Sequence, residues 1–281
     1  MSKDFSSKVA VITGGGGVLC SAFAKELAGL GIKVAVLDLN LDKANEVVTE
    51  ITAEGGKAIG IACNVLEKES IIAAANTVAE QLGPCDILIN GAGGNHPKGN
   101  TTKESLTFDD IDHPDPQVTT FFDLASEGFQ HVFNLNFMGT FLPTQVFAKQ
   151  MVGRPGAVVI NMSSMSAPCP MTKVVAYSAA KAAVSNFTQW LAVHLADVGI
   201  RVNALAPGFF LTEQNRNLLT NPDGSLTPRA DKIITHTPMR RFGKPEDLLG
   251  TLVWLIDEEA SGFVTGVVVP IDGGFMAYSG V

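Results

Sequence analysis

No lysine and arginine cluster longer than two residues occurs in this chain, no uninterrupted apolar run approaches ~18 residues, and no two cysteines have C-x-x-C spacing. Each absence removes a class of function. With a formal net charge of −8 over 281 residues, nucleic acid and anionic membranes are poor partners, and an anionic ligand has to be held locally. Cys20, Cys63, Cys85 and Cys169 read as reduced, small apolar residues of a cytoplasmic protein. The start, Met1-Ser2-Lys3-Asp4-Phe5, has no hydrophobic signal core, so a soluble, unexported protein is expected. The five histidines, His96, His113, His131, His194 and His236, show no H-x-x-x-H arrangement, and no metal is expected. No Pro/Ser/Gly linker divides the chain, and 46% hydrophobic content suits one domain over residues 1–281.

What is there is a regular alternation. Apolar β-branched runs at Lys8–Thr13, Ile32–Asp38, Lys57–Cys63, Asp86–Asn90, Ala157–Met162, Arg201–Ala206 and Val267–Ile271 predict seven strands. Helical patterns near Val18–Leu30, Leu41–Glu54, Glu67–Leu82, Ser126–Val152, Ala176–Val198 and Pro245–Asp257 fill the gaps. Strands apolar on both faces, separated by helices, imply an α/β, Rossmann-type doubly wound parallel sheet covered on both sides. Its ligand crevice lies at the carboxyl ends of the strands. Two polar segments, about 94–125 and 212–238, break the rhythm there and are expected to be substrate loops.

The first strand runs into Thr13-Gly14-Gly15-Gly16-Gly17-Val18-Leu19-Cys20 and then a helix. Consecutive glycines let the backbone turn tightly and aim N–H groups at a pyrophosphate, so Gly14, Gly16, Gly17, Val18 and Leu19 are candidate dinucleotide contacts. Asp38, ending the second strand, is either the acceptor for ribose hydroxyls or the N-cap of the next helix. As ribose acceptor it repels a 2′-phosphate, and no Arg or Lys follows in Leu39-Asn40-Leu41, which favours NAD over NADP.

The chemistry of the chain lies in Tyr177-Ser178-Ala179-Ala180-Lys181, with Ser164 upstream at the end of an apolar run. A spacing of four puts phenol and ammonium on one helix face. Tyrosine titrates near ~10, so basic work near pH 7 needs a shift worth about 4 kcal/mol. A cation about 4 Å away at an effective dielectric of about 20 supplies roughly that amount, so Lys181 is expected to lower the Tyr177 pKa.

The glycine loop, Asp38, Asn90-Gly91-Ala92-Gly93, Asn136, Ser164, Tyr177, Lys181 and Pro207-Gly208 together resemble the short-chain dehydrogenase/reductase family over nearly the whole chain. The resemblance implies a hydride moved between nicotinamide and a carbinol carbon while Tyr177 passes the proton, Ser164 holds the substrate oxygen and Lys181 binds the nicotinamide ribose. It also implies that Asn136 holds a water against Lys181, that Asn90, Gly91 and Ala92 stabilise the sheet beside the adenosine, and that Asn64 and Val65 meet adenine. Pro207, Gly208, Phe210 and Thr212 would frame the nicotinamide. Read from its neighbours alone, Asn136 is a buried polar residue in need of partners. Three departures stand out: Val18 and Cys20 replace the second and third glycines of T-G-x-x-x-G-x-G, N-N-A-G reads Asn90-Gly91-Ala92-Gly93, and Asn64 stands where an Asp is usual. Family members are commonly tetramers, and the apolar stretch Phe263–Ile271 fits either an interface or a core strand.

Asn95-His96-Pro97-Lys98 and Phe209-Phe210-Leu211-Thr212-Glu213-Gln214-Asn215-Arg216 bring amide, imidazole and cationic groups to the nicotinamide end. These suit a polyol carrying a carboxylate, bound by Asn95, His96 and Ser164, with Lys98, Arg216 or Lys173 as counter-ion. The same runs, the second taken from Gly208, and the tail Gly273-Gly274-Phe275-Met276-Ala277-Tyr278-Ser279-Gly280-Val281 resemble the branch of the family that interconverts D-mannonate and D-fructuronate, with gluconate 5-dehydrogenase as runner-up. A ketoacyl reductase would want NADPH and an acidic carrier protein, for which no basic docking patch is visible. A dinucleotide sensor without catalysis would have no use for Ser164, Tyr177, Lys181 and Asn136 together.

Overall fold

Alternation of buried side chains decides the architecture. The computed structural model describes residues 5–280; Met1 to Asp4, part of the segment without a signal core, and Val281 lie outside the described residues. Strands β1 (Val9–Thr13), β2 (Lys33–Asp38), β3 (Ala58–Ala62), β4 (Ile87–Asn90), β5 (Val158–Met162), β6 (Arg201–Pro207) and β7 (Val268–Ile271) form one sheet of seven, ordered β3-β2-β1-β4-β5-β6-β7. Every pairing is parallel, and every boundary falls within one residue of the expected run.

Helices α1 (Val18–Gly29), α2 (Leu41–Ala53) and α3 (Lys68–Gln81) follow the first three strands. The segment after β4 carries the short helix α4 (Phe108–Asp112), then α5 (Ser126–Phe133), a π turn at Asn134–Met138, and α6 (Gly139–Met151). Beyond β5 come α7 (Val175–His194), α8 (Glu213–Leu219), α9 (Pro228–His236), α10 (Glu246–Ile256) and α11 (Glu258–Ser261). Successive strand residues point to opposite faces, which is why Ala10 and Ile12 join one core with Phe23, Leu27, Ile51 and Leu252. Val9 and Val11 join the other with Ile71, Val78, Phe147 and Leu191. Helices therefore cover both faces, as a doubly wound sheet requires.

Two features depart from the expected elements. The run expected as one helix over Ser126–Val152 is interrupted at Asn134–Met138, where the backbone takes a π turn centred on buried Asn136. The Thr140 hydroxyl bonds back to the Asn136 carbonyl at 2.9 Å. The two polar segments also contain helices of their own. Thr107 and Asp110 cap α4 reciprocally, and Thr227 with Pro228 opens α9, its hydroxyl accepting from the Ala230 N–H. Strand order reverses between β1 and β4, so the crevice opens over the glycine loop and over Asn90 to Gly93.

Candidate active site

A cleft of about 740 Å³ occupies that crevice. It is lined by Gly14, Gly16, Gly17, Val18, Leu19, Asp38, Asn64, Val65, Gly91, Ala92, Ser164, Tyr177, Lys181, Pro207, Gly208, Phe210 and Thr212, all anticipated from the sequence. Asn95 and His96 line it as well, whereas Asn90, Lys98, Asn136 and Arg216 do not. A second hollow of about 380 Å³ beside β7 holds none of Ser164, Tyr177 and Lys181.

At the dinucleotide end, Gly14 adopts φ +62° and a Cβ there would sit 2.8 Å from the Ala92 Cα, so only glycine permits this approach of the β1 and β4 loops. Gly17 caps α1 with no side-chain acceptor, which leaves first-turn N–H groups for an anionic ligand. Asp38 accepts from the Gly16 N–H at 3.0 Å and from the Asn40 N–H at 2.9 Å, and is held at the loop edge with lone pairs to spare. The cap of α2 is Asn40, whose side chain accepts from the Asp42 and Lys43 N–H groups, so the alternative reading of Asp38 as N-cap does not hold. Lys43, one turn into α2, lines the same end and was not anticipated. Asn64 spends its amide locally, donating to Glu67 at 2.8 Å and accepting from the Leu66 N–H at 3.0 Å. These residues fit a pyrophosphate and a ribose diol.

Two departures from the family pattern prove to be one. A Cβ on Gly91 would lie 2.1 Å from the Cys20 Sγ, so the sulfur fills the space that a side chain at 91 would occupy. Burial pushes the Cys20 thiol up to about 12, with the Asp38 charge adding to the effect, and it stays a neutral filler. Gly91→Asn alone is expected to destabilise by about 2 kcal/mol or more through overpacking. Adding Cys20→Gly should recover much of that loss, a coupling of about 1–3 kcal/mol in thermal unfolding. Purely additive costs would mean the two positions are independent.

The candidate catalytic residues come together where β5 meets α7. The Met165 N–H donates to the Pro207 carbonyl at 3.1 Å, and the Ser163 hydroxyl meets that of Ser185 at 2.6 Å, tying the β5 end to β6 and α7. Ser164 is buried, accepts from the Ser166 N–H at 3.1 Å, and its hydroxyl bonds that of Tyr177. Lys181, also buried, donates to the Met162 carbonyl at 2.7 Å and stands 5.5 Å from the Tyr177 ring centroid. Burial raises the Tyr177 pKa, opposed by the Ser164 bond, and lowers that of Lys181 to about 8. The expectation that Lys181 pulls Tyr177 down is therefore not met: desolvation dominates both groups.

Asn136 stands behind the wall. Its Nδ2 donates to the carbonyls of Gly94 at 2.6 Å and Val132 at 2.8 Å, and its Oδ1 accepts from the Gly94 N–H at 3.2 Å. A Cβ on Gly93 would meet the Asn136 Oδ1 at 2.7 Å and the Lys181 Nζ at 3.4 Å, so the absence of a side chain at 93 brings the amide and the ammonium together. Asn90 serves the sheet, donating at 2.8 Å to both Thr144 and Asn161, while Asn161 donates to Thr188.

At the far end, the His96 Nδ1 accepts from the Lys98 N–H at 3.2 Å, which fixes the tautomer with Nε2 as donor. The Asn95 amide donates to Asn100, leaving its oxygen as acceptor. Asn215, which the sequence does not single out as a site residue, clamps the β6 loop by donating to the Phe210 carbonyl at 2.7 Å and accepting from the Thr212 N–H at 2.8 Å. Arg229, in the first turn of α9, lines the cleft and was also missed.

Comparison with known proteins agrees with this geometry. The family model for short chain dehydrogenase matches residues 8–223. The chain is 56% identical over 281 residues to the uncharacterized oxidoreductase UxuB of Bacillus subtilis (strain 168), covering 100% of this chain and 99% of that protein. It is 33% identical to the 2-dehydro-3-deoxy-D-gluconate 5-dehydrogenase of Formosa agariphila, over 99% of this chain and 96% of the relative. A crystal structure from Haemophilus influenza with bound NAD, provisionally named a D-mannonate oxidoreductase, superposes with a TM-score of 0.94 at 55% identity, covering 99% and 98% of the two chains. The chain belongs to the short-chain dehydrogenase family and is an NAD-dependent oxidoreductase acting on CH–OH groups.

Proposed function

We propose that the enzyme interconverts a sugar acid and its keto acid, D-mannonate and D-fructuronate, with NAD as hydride acceptor. The observation that carries this reading is the lining of the cleft that holds Ser164 and Tyr177, in which Asn95, His96 and Arg229 offer an amide, an imidazole donor and a guanidinium. A polyol carboxylate needs such a set, and a steroid or fatty acyl chain does not. The name of the NAD-bound relative at 55% identity points the same way. In this reading the two segments 94–125 and 212–238 are the substrate loops, Ser164 holds the carbinol oxygen, Tyr177 takes its proton, and the hydride leaves the carbinol carbon. Lys181 orients the nicotinamide ribose, and Asn136 acts as a positioning residue through the Gly93–Gly94 backbone.

The test is to mix the protein with NAD and D-mannonate, with D-gluconate in parallel, and follow NADH. Turnover on mannonate well above gluconate supports the reading; preferential turnover on gluconate supports the runner-up, gluconate 5-dehydrogenase. Silence on both acids overturns the sugar-acid assignment and leaves fold and cofactor standing.

The ribose site carries its own prediction. Asp38→Ala combined with Leu39→Arg should move preference toward NADPH by about 100-fold or more in kcat/KM, because a repulsive carboxylate gives way to a phosphate-pairing cation with Lys43 already at that end. Unchanged preference in steady-state assays with both cofactors would remove Asp38 from the ribose contact.

We also infer a homotetramer in the cytoplasm. Phe129, Phe133, Phe137, Phe141, Phe187 and Trp190 form a continuous ladder of ring contacts along α5, the π turn, α6 and α7. Trp190 is 57% exposed and Phe263 fully so, which is costly apolar surface for an isolated protomer. The unpaired cysteines suit a reducing compartment. Among the described residues no helix is long and apolar enough to cross a membrane.

A further inference from the structure

Three cations line the cleft: Lys43, Lys181 and Arg229. Lys43 belongs to the ribose end, where its Cβ would lie 2.7 Å from a Cβ built on Gly16. Lys181 is engaged by the Met162 carbonyl beside the phenol. That leaves Arg229 as the cation of the substrate end, and it comes from α9, an element carried by the second polar segment. We propose that Arg229 is the carboxylate subsite of this enzyme, the group that holds the acid end of the substrate while the carbinol sits at Ser164 and Tyr177. The inference rests on the sugar-acid reading and deepens it.

The local charge supports it. The Glu104 carboxylate, close enough to feel Arg229, is already paired with Lys232 at 2.6 Å. Lys173, Lys232 and Arg229 all act on that one carboxylate and favour its charged form. The surroundings of Arg229 are thus locally cationic in a chain of net charge −8, and among the described residues no side-chain hydrogen bond or ion pair of Arg229 is found. Arg229 is half-buried, and Leu219 and Ile233, which pack together with its neighbour Ala230, also line the cleft. An apolar surround strengthens a charged contact, and the planar fork matches a carboxylate through two parallel N–H donors. Of the three cations suggested by the sequence, Lys98 and Arg216 are exposed and Lys173 is half-buried, and none of them belongs to the lining.

The experiment compares wild type, Arg229→Gln and Arg229→Lys in NAD-dependent oxidation of D-mannonate, with NADH affinity measured by fluorescence titration and folding by thermal unfolding. Arg229→Gln should raise KM for mannonate on the order of 100-fold, and Arg229→Lys, which keeps the charge and loses the fork, should recover about a tenth or more of the lost kcat/KM. NADH affinity should stay within about twofold, because the subsite is assigned to the substrate and not to the dinucleotide. An unchanged KM in a folded Arg229→Gln variant overturns the subsite while the sugar-acid reading survives. A wild-type enzyme silent on every sugar acid overturns the reading and the subsite with it. Should Arg229→Gln fail to fold, Arg229→Lys alone decides: a KM for mannonate equal to wild type is incompatible with bidentate capture.

Discussion

Tyr177→Phe should bind NADH almost normally and lose turnover by about three to four orders of magnitude. The substitution removes one oxygen and keeps the ring, so packing along α7 is preserved. The Ser164 hydroxyl that loses its partner still accepts from the Ser166 N–H at 3.1 Å, and no group is left stranded. In the proposed reading cofactor affinity rests mainly on the glycine loop and Asp38. What disappears is the proton. Burial holds the phenol above its ordinary range, so it is protonated at neutral pH and can serve as the acid in the reductive direction. Ser164 could align a carbonyl without Tyr177, but a serine hydroxyl has no adjacent base to supply or remove the proton. Single-turnover reduction monitored at the NADH absorbance, beside a fluorescence titration of NADH, separates the two effects. Residual turnover above about a tenth of wild type would take the acid/base role away from Tyr177.

The sheet was legible because strands buried on both faces write continuous apolar runs, and seven such runs in one chain have few other solutions. The Tyr177 and Lys181 spacing was legible because a helix converts a separation of four into a shared face. What the sequence hid are consequences of contact between distant residues. Cys20 and Gly91 look like two unrelated losses until the fold brings the sulfur to the place of the missing side chain. The π turn is silent because Phe129, Phe133, Phe137 and Phe141 keep a period of four straight through it, and only the hydrogen bonds of Asn136 mark the break. Arg229 escaped notice because its segment was read as irregular loop. A helix starting at Thr227-Pro228 was the available signal, since a Thr N-cap followed by Pro is a helix-opening pair and fixes which first-turn side chains can reach the cleft.

Lys181→Met is expected to abolish activity and, in the ligand-free protein, to raise stability. The ammonium is buried, and desolvation lowers its pKa from 10.5 to about 8. Between those two values the unfolded chain holds a proton that the folded chain has released, so stability rises with pH across that window. Below about pH 8 both states are protonated, and the folded protein carries the full cost of a buried charge, about 3 kcal/mol at 1.36 kcal/mol per unit. Methionine has similar length, no charge and good tolerance for irregular apolar gaps. It also abandons the Met162 carbonyl, now accepting at 2.7 Å from Nζ, and that loss returns about 1–2 kcal/mol. The net gain of about 1–2 kcal/mol corresponds to a Tm higher by about 2–8 °C at neutral pH. The sharper signature is the slope: wild-type stability should climb from pH 8 to 10 and the Lys181→Met variant should lack that component. Turnover should fall by about three orders of magnitude if, as proposed, the same buried charge orients the nicotinamide ribose beside the phenol. A variant with lower Tm and an unchanged pH slope would show that Lys181 is held by favourable contacts in the empty protein and that its charge costs the fold nothing.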